Sequence, residues 1–245
     1  MNDSRYAYTA QPTKNPFRLA LALWRFMKSD VTDENVGEVA IIEISFARSR
    51  IGRRLAQWEH TIEQLPGPGQ TVEDVRRRTV SEPISLDDLQ QCAQGSLGRA
   101  FADHCEARGL NPNLVHIPLQ HETDWLLKHL FQTHDIWHVV TGWGNDQPGE
   151  VGLGGFYCGQ LRSPGFFVFL LSLIWLKAVL RREGNLDRLV HAFVTGYQMG
   201  RQAQPLFGYN WYRNWDVPLA EVRKQLQLDT HSILGLSESI MSEAA

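Results

Sequence analysis

The chain has 245 residues, 43% of them hydrophobic, which is enough to bury a sizeable core in a single domain. A formal net charge of −3 provides no general attraction to nucleic acid, so no nucleic-acid partner is expected. Three cysteines without CxxC spacing argue against a disulfide scaffold and favour a reducing compartment. The first residues lack the basic and apolar regions of a signal peptide, so we expect a cytoplasmic protein, with peripheral attachment to a membrane as an option.

Apolar residues recur at helical spacing along the chain, and no alternating strand pattern of useful length is present. Residues 1–15 show no periodicity and are predicted to form a flexible arm. In the N-terminal half, helices are predicted over 17–27, from a cap at Thr32 or Asp33 to about Trp58, from Ser85, and over 95–108 with a left-handed cap at Gly109.

A long helix is predicted over 122–141, closed by Gly142, and the next begins near Asn145 or Asp146 with Pro148. This next helix contains an unusual number of glycines, at Gly149, Gly152, Gly155 and Gly159. Each glycine costs about 1 kcal/mol of helix stability relative to alanine. So many in one helix indicate that something approaches the backbone closely, either a neighbouring helix or a slender ligand.

The run 165–176 is apolar or weakly polar throughout, but its twelve residues are fewer than the roughly 20 needed to span a bilayer. It predicts a core helix, with a helix that lines a lipid pocket or rests on a membrane as the alternative. Further helices are predicted over 186–203 and 219–226, and residues 229–245 form a flexible tail. The predicted fold is all-α, with a single bundle-like domain over 16–228 that encloses a hydrophobic lipid-binding cavity.

The sequence His134-Asp135-Ile136-Trp137-His138 contains two histidines that project from one face of a helix, because a helix turns about 100° per residue. Glu150 follows after a glycine-rich turn and can approach from a second element. Two imidazoles with one or two carboxylates suit zinc, manganese, cobalt or ferrous iron better than magnesium, which prefers oxygen ligands.

Other interpretations of the motif remain open. A histidine pair at this spacing is often a capped or solvated surface feature, although the apolar residues on both sides indicate a buried helix, where polar groups need partners. The motif is also similar to the protease pattern His-Glu-x-x-His, but Asp135 is one methylene shorter than the catalytic glutamate. A phosphohydrolase-type His-Asp site is a third interpretation, without a clear set of further ligands.

Together these residues resemble the ubiquinone (coenzyme Q) biosynthesis protein 4 family. Residues 134–150 match the family signature His-Asp-x-x-His-x11-Glu at its full spacing. Residues 95–103 look like its Gly-Thr-Leu-Gly-x-x-Tyr segment, and 218–223 look like its Pro/Asp-Leu-x-Glu-x-Arg ending. The resemblance covers roughly residues 17 to 228, and it departs at 154–160, where many members carry a charged residue and a Phe-Glu pair.

The resemblance implies an all-helical, membrane-associated protein, often a homodimer, that binds an isoprenoid chain. It implies action on ring position C1 of polyprenylated 4-hydroxybenzoate, where hydroxyl replaces the carboxyl group. It also implies four metal ligands, which we take as the catalytic residues: His134, Asp135, His138 and Glu150. For the lipid, the apolar run and the glycines suggest these lining residues: Gly152, Gly155, Phe166, Phe167, Phe169, Leu170 and Leu173.

We therefore expect a divalent metal, zinc or iron first and magnesium or manganese as alternatives, acting as Lewis acid and template for a prenylated aromatic substrate. Asp135 has a second interpretation, as the hydrogen-bond partner that fixes a histidine tautomer. The alternative function is a non-catalytic scaffold that presents the isoprenoid intermediate to other quinone-pathway proteins, and a weaker one is hydrolysis at a metal-bound water.

Overall fold

The computed structural model describes residues 8–9, 12–28, 36–64, 71–81, 84–113, 115–121, 124–161, 164–181, 186–228 and 230. The helices within these ranges are α1 Pro16–Lys28, α2 Val36–Arg48, α3 Arg50–Ala56, α4 Trp58–Gln64, α5 Val72–Ser81, α6 Leu86–Gln90, α7 Leu97–Arg108, α8 Asp124–Thr141, α9 Gln147–Gln160, α10 Gly165–Arg181, α11 Leu186–Gln202 and α12 Leu219–Gln225. A 3-10 turn, Trp211–Arg213, precedes α12. The prediction of an all-α protein is confirmed.

Two short strands accompany the helices: β1, Tyr8–Thr9, pairs in parallel with β2, Val115–His116. The backbone N–H of Thr13 also donates to Ser45 Oγ at 2.9 Å. Part of the predicted N-terminal arm is therefore hydrogen-bonded to the helical domain. Residues 1–7, 10 and 11 of that arm, and almost all of the predicted tail 229–245, lie outside the described residues.

Several predicted helix ends are confirmed by their caps. The side chains of Ser85 and Asp146 accept backbone N–H groups from the first turns of α6 and α9, and Gly109 ends α7 with φ 65°. The single helix predicted up to Trp58 is wrong, because it is interrupted at Ser49 and again at Gln57. The Ser49 hydroxyl accepts the N–H of Gly52 and starts a new helix, as serine does at helix N-termini. The predicted cap residues Thr32 and Asp33 lie outside the described residues.

Helix α8 runs through the core and is buried on most of its surface. Its C-terminal end is capped from α12, where the Arg223 guanidinium donates to the carbonyl oxygens of Val139 and Val140 at 2.9 and 3.0 Å. The segment before α12 pairs in turn with the start of α7, because Leu97 N–H donates to Val217 O at 2.8 Å. The two outlying stretches that resemble the family therefore meet and support the helix that carries the histidines.

Helix α2 is held against α8 and α10. The Arg48 guanidinium forms two hydrogen bonds with the buried carboxylate of Asp124, at 2.6 and 3.1 Å. The Phe46 ring stacks on Phe169 of α10 with centroids 3.5 Å apart. Among the described helices, none combines the length and the apolar composition that crossing a bilayer requires.

Helices α9 and α11 approach closely through glycines on both sides. A Cβ atom at Gly155 or Gly159 would meet backbone atoms of α11, and one at Gly196 or Gly200 would meet carbonyl oxygens of α9. A neighbouring helix therefore approaches Gly155 and Gly159, whereas Gly149 and Gly152 lie against Gly144 and Trp143 of the preceding turn. The glycines lower the helix propensity of both helices but allow their backbones to pack in direct contact.

We expect Gly196→Ala to destabilise the protein by about 1–3 kcal/mol. Alanine gains up to about 1 kcal/mol of helix propensity, but its Cβ would overlap the carbonyl oxygen of Gly152, and the two helices would have to separate. Chemical denaturation would measure the loss. Gln198→Ala on the exposed face of the same helix is the matched control and should stay within about 0.5 kcal/mol. A Gly196→Ala protein as stable as the control would contradict this account of the interface.

Candidate metal centre

A short turn between α8 and α9 sets the position of the third side chain. Gly142 ends α8 in a left-handed conformation, with φ 86°, and its N–H donates to His138 O at 2.8 Å. Asp146 then caps α9 by accepting the N–H of Gly149 at 3.1 Å. Because α9 begins at Gln147, Glu150 lies in its first turn and faces back toward α8.

The structure brings His134, His138 and Glu150 together. The two Nε2 atoms of the histidines are 3.2 Å apart, and Glu150 places Oε2 3.5 Å from His134 Nε2 and Oε1 3.3 Å from His138 Nε2. One ligand atom from each of the three residues lies within 4.8 Å of the other two. The His138 side chain is fully buried, whereas those of His134 and Glu150 are 38% and 34% exposed. The centre is therefore closed behind His138 and open on the side of the other two.

The two histidines are suited to bind a divalent cation because their Nε2 atoms face the centre. His138 Nδ1 lies 3.0 Å from the carbonyl oxygen of Trp143, which can only accept, so the proton is on Nδ1 and the lone pair of the neutral ring is on Nε2. A backbone carbonyl in this role is the usual partner of a metal-binding histidine. His134 Nδ1 lies 3.4 Å from the Tyr157 hydroxyl, so its Nε2 also faces the centre.

The charges of the centre are strongly coupled. Burial works against protonation of His134, but the hydrogen bond and charge of Glu150, helped by Asp135, raise its pKa to about 9. Burial works against ionisation of Glu150, yet the two histidines together hold its pKa far below the ordinary value. Burial also raises the pKa of Tyr157 well above its usual range, so the phenol is neutral.

Asp135, the fourth predicted metal ligand, does not join the three ligand atoms that lie within 4.8 Å of one another. It is half buried beside His134, and its negative charge helps to raise the pKa of that histidine. Its role as a ligand stays a prediction. The Nδ1 atoms of the two histidines contact Tyr157 and Trp143 rather than Asp135, so the described contribution of Asp135 to His134 is electrostatic.

Two titratable side chains near the centre were not predicted. The His104 ring on α7 lies 6.3 Å from that of His138, and burial with nearby positive charge lowers its pKa to about 4. Glu43 on α2 interacts electrostatically with His134 and Glu150. No sequence signal marks these residues, because they are distant in the chain and only helix packing brings them to the metal motif.

The predicted lipid-lining residues lie on α9 and α10 in different surroundings. A Cβ at Gly152 would meet the Trp143 ring, and one at Gly155 would meet the backbone at Phe193, so protein fills the space beside both glycines. Phe166 and Phe167 are buried, and Phe167 stacks on Tyr157 at 4.3 Å between centroids. The remaining three are half buried: Phe169, Leu170 and Leu173. Their contact with a lipid stays a prediction.

Comparison with known proteins identifies relatives of this chain. Curated relatives include the mitochondrial ubiquinone biosynthesis protein coq4 of Sclerotinia sclerotiorum, 23% identical over 157 residues, which are 63% of this chain and 54% of that protein. The COQ4 protein of Clavispora lusitaniae is 22% identical over 203 residues, which are 80% of this chain and 60% of that protein. The Rattus norvegicus homologue is 24% identical over 155 residues, which are 62% of this chain and 57% of that protein. The chain thus spans less than two thirds of the length of these relatives.

A solved structure from Nostoc punctiforme PCC 73102, described as a candidate ubiquinone biosynthesis protein, has 26% sequence identity to this chain. The TM-score is 0.67, with 87% of this chain and 98% of that chain covered. The family described as Coenzyme Q (ubiquinone) biosynthesis protein Coq4 matches residues 55–232, which include the histidine pair and Glu150. Because this match covers well over half of the chain, the protein belongs to the Coq4 family of ubiquinone biosynthesis proteins.

Proposed function

We propose that this protein is a metal-dependent enzyme that replaces the C1 carboxyl group of a polyprenylated 4-hydroxybenzoate with hydroxyl. In the overall exchange the carboxyl carbon leaves as CO2, O2 supplies the hydroxyl oxygen, and the second oxygen atom leaves as water after uptake of two protons and two electrons from an external donor. The observation that carries the proposal is the convergence of His134 Nε2, His138 Nε2 and the Glu150 carboxylate on one point, with one side of that point open. These residues lie within the stretch that matches the Coq4 family, which connects the geometry to quinone synthesis.

A divalent cation bound there would act as a Lewis acid that orients the substrate and draws electrons from its carboxyl group. Two neutral imidazoles and one carboxylate would leave the site with one net positive charge, which favours binding of the substrate carboxylate. The donor set fits zinc and ferrous iron, with manganese or magnesium as alternatives. The closed wall behind His138 would keep bulk water from that side of the ring.

The isoprenoid tail of the substrate needs an apolar surface near the centre. Phe169, Leu170 and Leu173 on α10 are half buried and offer such a surface. At about 25 cal/mol per Å² of apolar area removed from water, each five-carbon unit would contribute a few kcal/mol of binding. Burial of the tail would thus supply affinity, while the metal would select the head group.

A peripheral position on a membrane agrees with the surface of α1. Phe17, Leu21 and Trp24 recur along one side of this helix and are exposed, and the helix contains Arg25 and Lys28 but no acidic residue in its first turn. Exposed aromatic and aliphatic side chains beside basic ones are typical of helices that lie on an anionic lipid surface. The substrate tail would enter from that lipid phase.

The second candidate function is a scaffold that binds a prenylated intermediate and presents it to other quinone-pathway proteins. The observation that favours it is an exposed apolar face on α11, formed by Leu186, Val190, Val194 and Tyr197. Such a face is typical of a protein interface. It suits a partner protein or a second copy in a homodimer, and in the scaffold the cation would hold the carboxylate of the intermediate without turnover.

Removing one proposed ligand distinguishes a functional metal site from a cluster of histidines that is purely structural. We expect His138→Ala and Glu150→Ala each to lose bound metal and turnover together, because two remaining groups hold a cation weakly. Elemental analysis and release of the substrate carboxyl carbon would measure the two losses, and circular dichroism would check the fold. His191→Ala on the exposed side of α11 should change neither. Active protein without metal would refute the enzyme proposal, and metal-loaded protein that binds substrate without carboxyl loss would favour the scaffold.

Metal affinity should depend on pH because His134 must lose a proton before Nε2 can bind a cation. Its pKa of about 9 lies above the ordinary 6.5, so below about pH 9 the ring carries that proton in the absence of metal. We expect the apparent affinity to rise about tenfold per pH unit from pH 6 to 8 and to level off above pH 9. Calorimetry in buffers of different ionisation enthalpy should detect release of about one proton on binding. Affinity that does not change with pH would show that His134 is not a ligand.

A further inference from the structure

Helix α2 directs one carboxylate toward the protein interior. Ala40 and Ala47 of this helix are almost completely buried in the main core, at 0% and 3% exposure. Glu43 is three residues after the first and four before the second, so it lies on the same inward face. Ile41 and Ile42 belong to a separate apolar cluster with α1. Buried core residues therefore lie one turn before and one turn after Glu43 on α2, although Glu43 itself is an ionisable residue.

The position of Glu43 is fixed from both sides. Arg48, five residues later, is held by the buried Asp124 at the start of α8, and Phe46 is stacked on the rings of Phe166 and Phe169 in α10. Rotation of α2 would break the ion pair and the aromatic stack together. Ring contacts continue from Phe166 through Phe167 and Tyr157 to His134. Because Glu43 is one turn before Phe46, its half-buried carboxyl lies on the side of α2 that leads to the metal centre.

Glu43 differs from Asp124 in its partners. Asp124 accepts hydrogen bonds from the Arg48 guanidinium and from the N–H groups of Gln120 and His121. Among the residues that the structure describes, Glu43 has neither a hydrogen bond nor an ion pair. Its electrostatic partners are His134, Glu150 and Tyr157, all of them at the centre. Burial raises its pKa to about 7, with His134 opposing and Glu150 reinforcing that rise. A half-buried carboxylate without a donor in the protein is free to accept a hydrogen bond from a ligand.

Glu43 does not belong to the group of side chains that converge on the cation position. The ligand atoms that lie within 4.8 Å of one another come from His134, His138 and Glu150, and Glu43 is not among them. Its charge nevertheless interacts with those of His134 and Glu150. A group that binds to the cation by one end and donates a hydrogen bond from its opposite end would satisfy Glu43.

We propose that the Glu43 carboxylate accepts a hydrogen bond from the ring hydroxyl of the substrate whose carboxylate is bound at the metal centre. This inference rests on the proposed function, whose substrate has a carboxyl and a hydroxyl group at opposite ends of one aromatic ring. The substrate carboxylate is repelled by Glu43 and Glu150 and is directed to the cation, so the hydroxyl is the donor left for Glu43. Glu43 is therefore a positioning residue that selects 4-hydroxylated rings.

The test compares two probes on metal-loaded protein by calorimetry: 3-prenyl-4-hydroxybenzoate and its 4-methoxy analogue, which cannot donate. We expect the unchanged protein to prefer the hydroxyl probe, and Glu43→Gln to reduce this preference about tenfold, because a neutral amide replaces a charged acceptor. Glu43→Ala should reduce it further. Metal content should remain that of the unchanged protein in both variants. The matched control is Glu73→Gln, which alters an exposed carboxylate on α5 and should preserve the preference.

Three results would overturn the inference. Loss of metal in Glu43→Gln would show that Glu43 is a metal ligand. Equal loss of affinity for both probes would show that its role is structural. An unchanged protein that binds both probes equally well would remove the basis of the inference. The readouts are affinity and metal content, so they are independent of turnover. A protein that shows the expected preference but releases no carboxyl carbon would preserve the role of Glu43 and refute the proposed reaction.

Discussion

The metal centre depends on the turn from Gly142 to Asp146, and on Trp143 within it. The carbonyl of Trp143 orients the His138 ring on α8, while its indole ring packs against Gly152 on α9. One residue therefore fixes both the histidine and the helix that supplies Glu150. A longer turn would separate Glu150 from the histidines by several ångströms, and no other carboxylate in α9 could replace it.

The second structural constraint is the pair of helices behind the centre. Helix α9 can supply a ligand only if its axis is held, and the glycine contacts with α11 hold it through backbone atoms rather than flexible side chains. Helix α8 is held at both ends, by Arg48 at Asp124 and by Arg223 at its last carbonyls. Sites on rigid helices hold convergent polar groups more precisely than sites on loops, and here the Trp143 carbonyl and the Tyr157 hydroxyl also contact the two histidines.

The carboxylates around α8 differ in function because their partners differ. Asp124 is fully paired with Arg48 and backbone N–H groups and contributes to the fold. Glu150 is paired with two histidines, and its low pKa keeps it charged and ready to bind a cation. Glu43 has a raised pKa and no described partner, which is the pattern expected of a group that awaits a ligand. Three carboxylates in one region thus differ in their partners, and the metal-binding and substrate-binding roles that we propose for two of them follow from that difference.

The sequence alone determined the helical class, most helix ends and the candidate metal motif, because these depend on local spacing: the four-residue repeat of His134 and His138, the cap at Asp146 and the left-handed Gly142. It did not determine the break at Ser49, where a short-range hydrogen bond competes with a continuous helix. It also did not reveal Glu43, or what packs against the glycines of α9. These were decided by the tertiary structure, since contacts between residues far apart in the chain depend on how whole helices pack, and local periodicity contains no information about that packing.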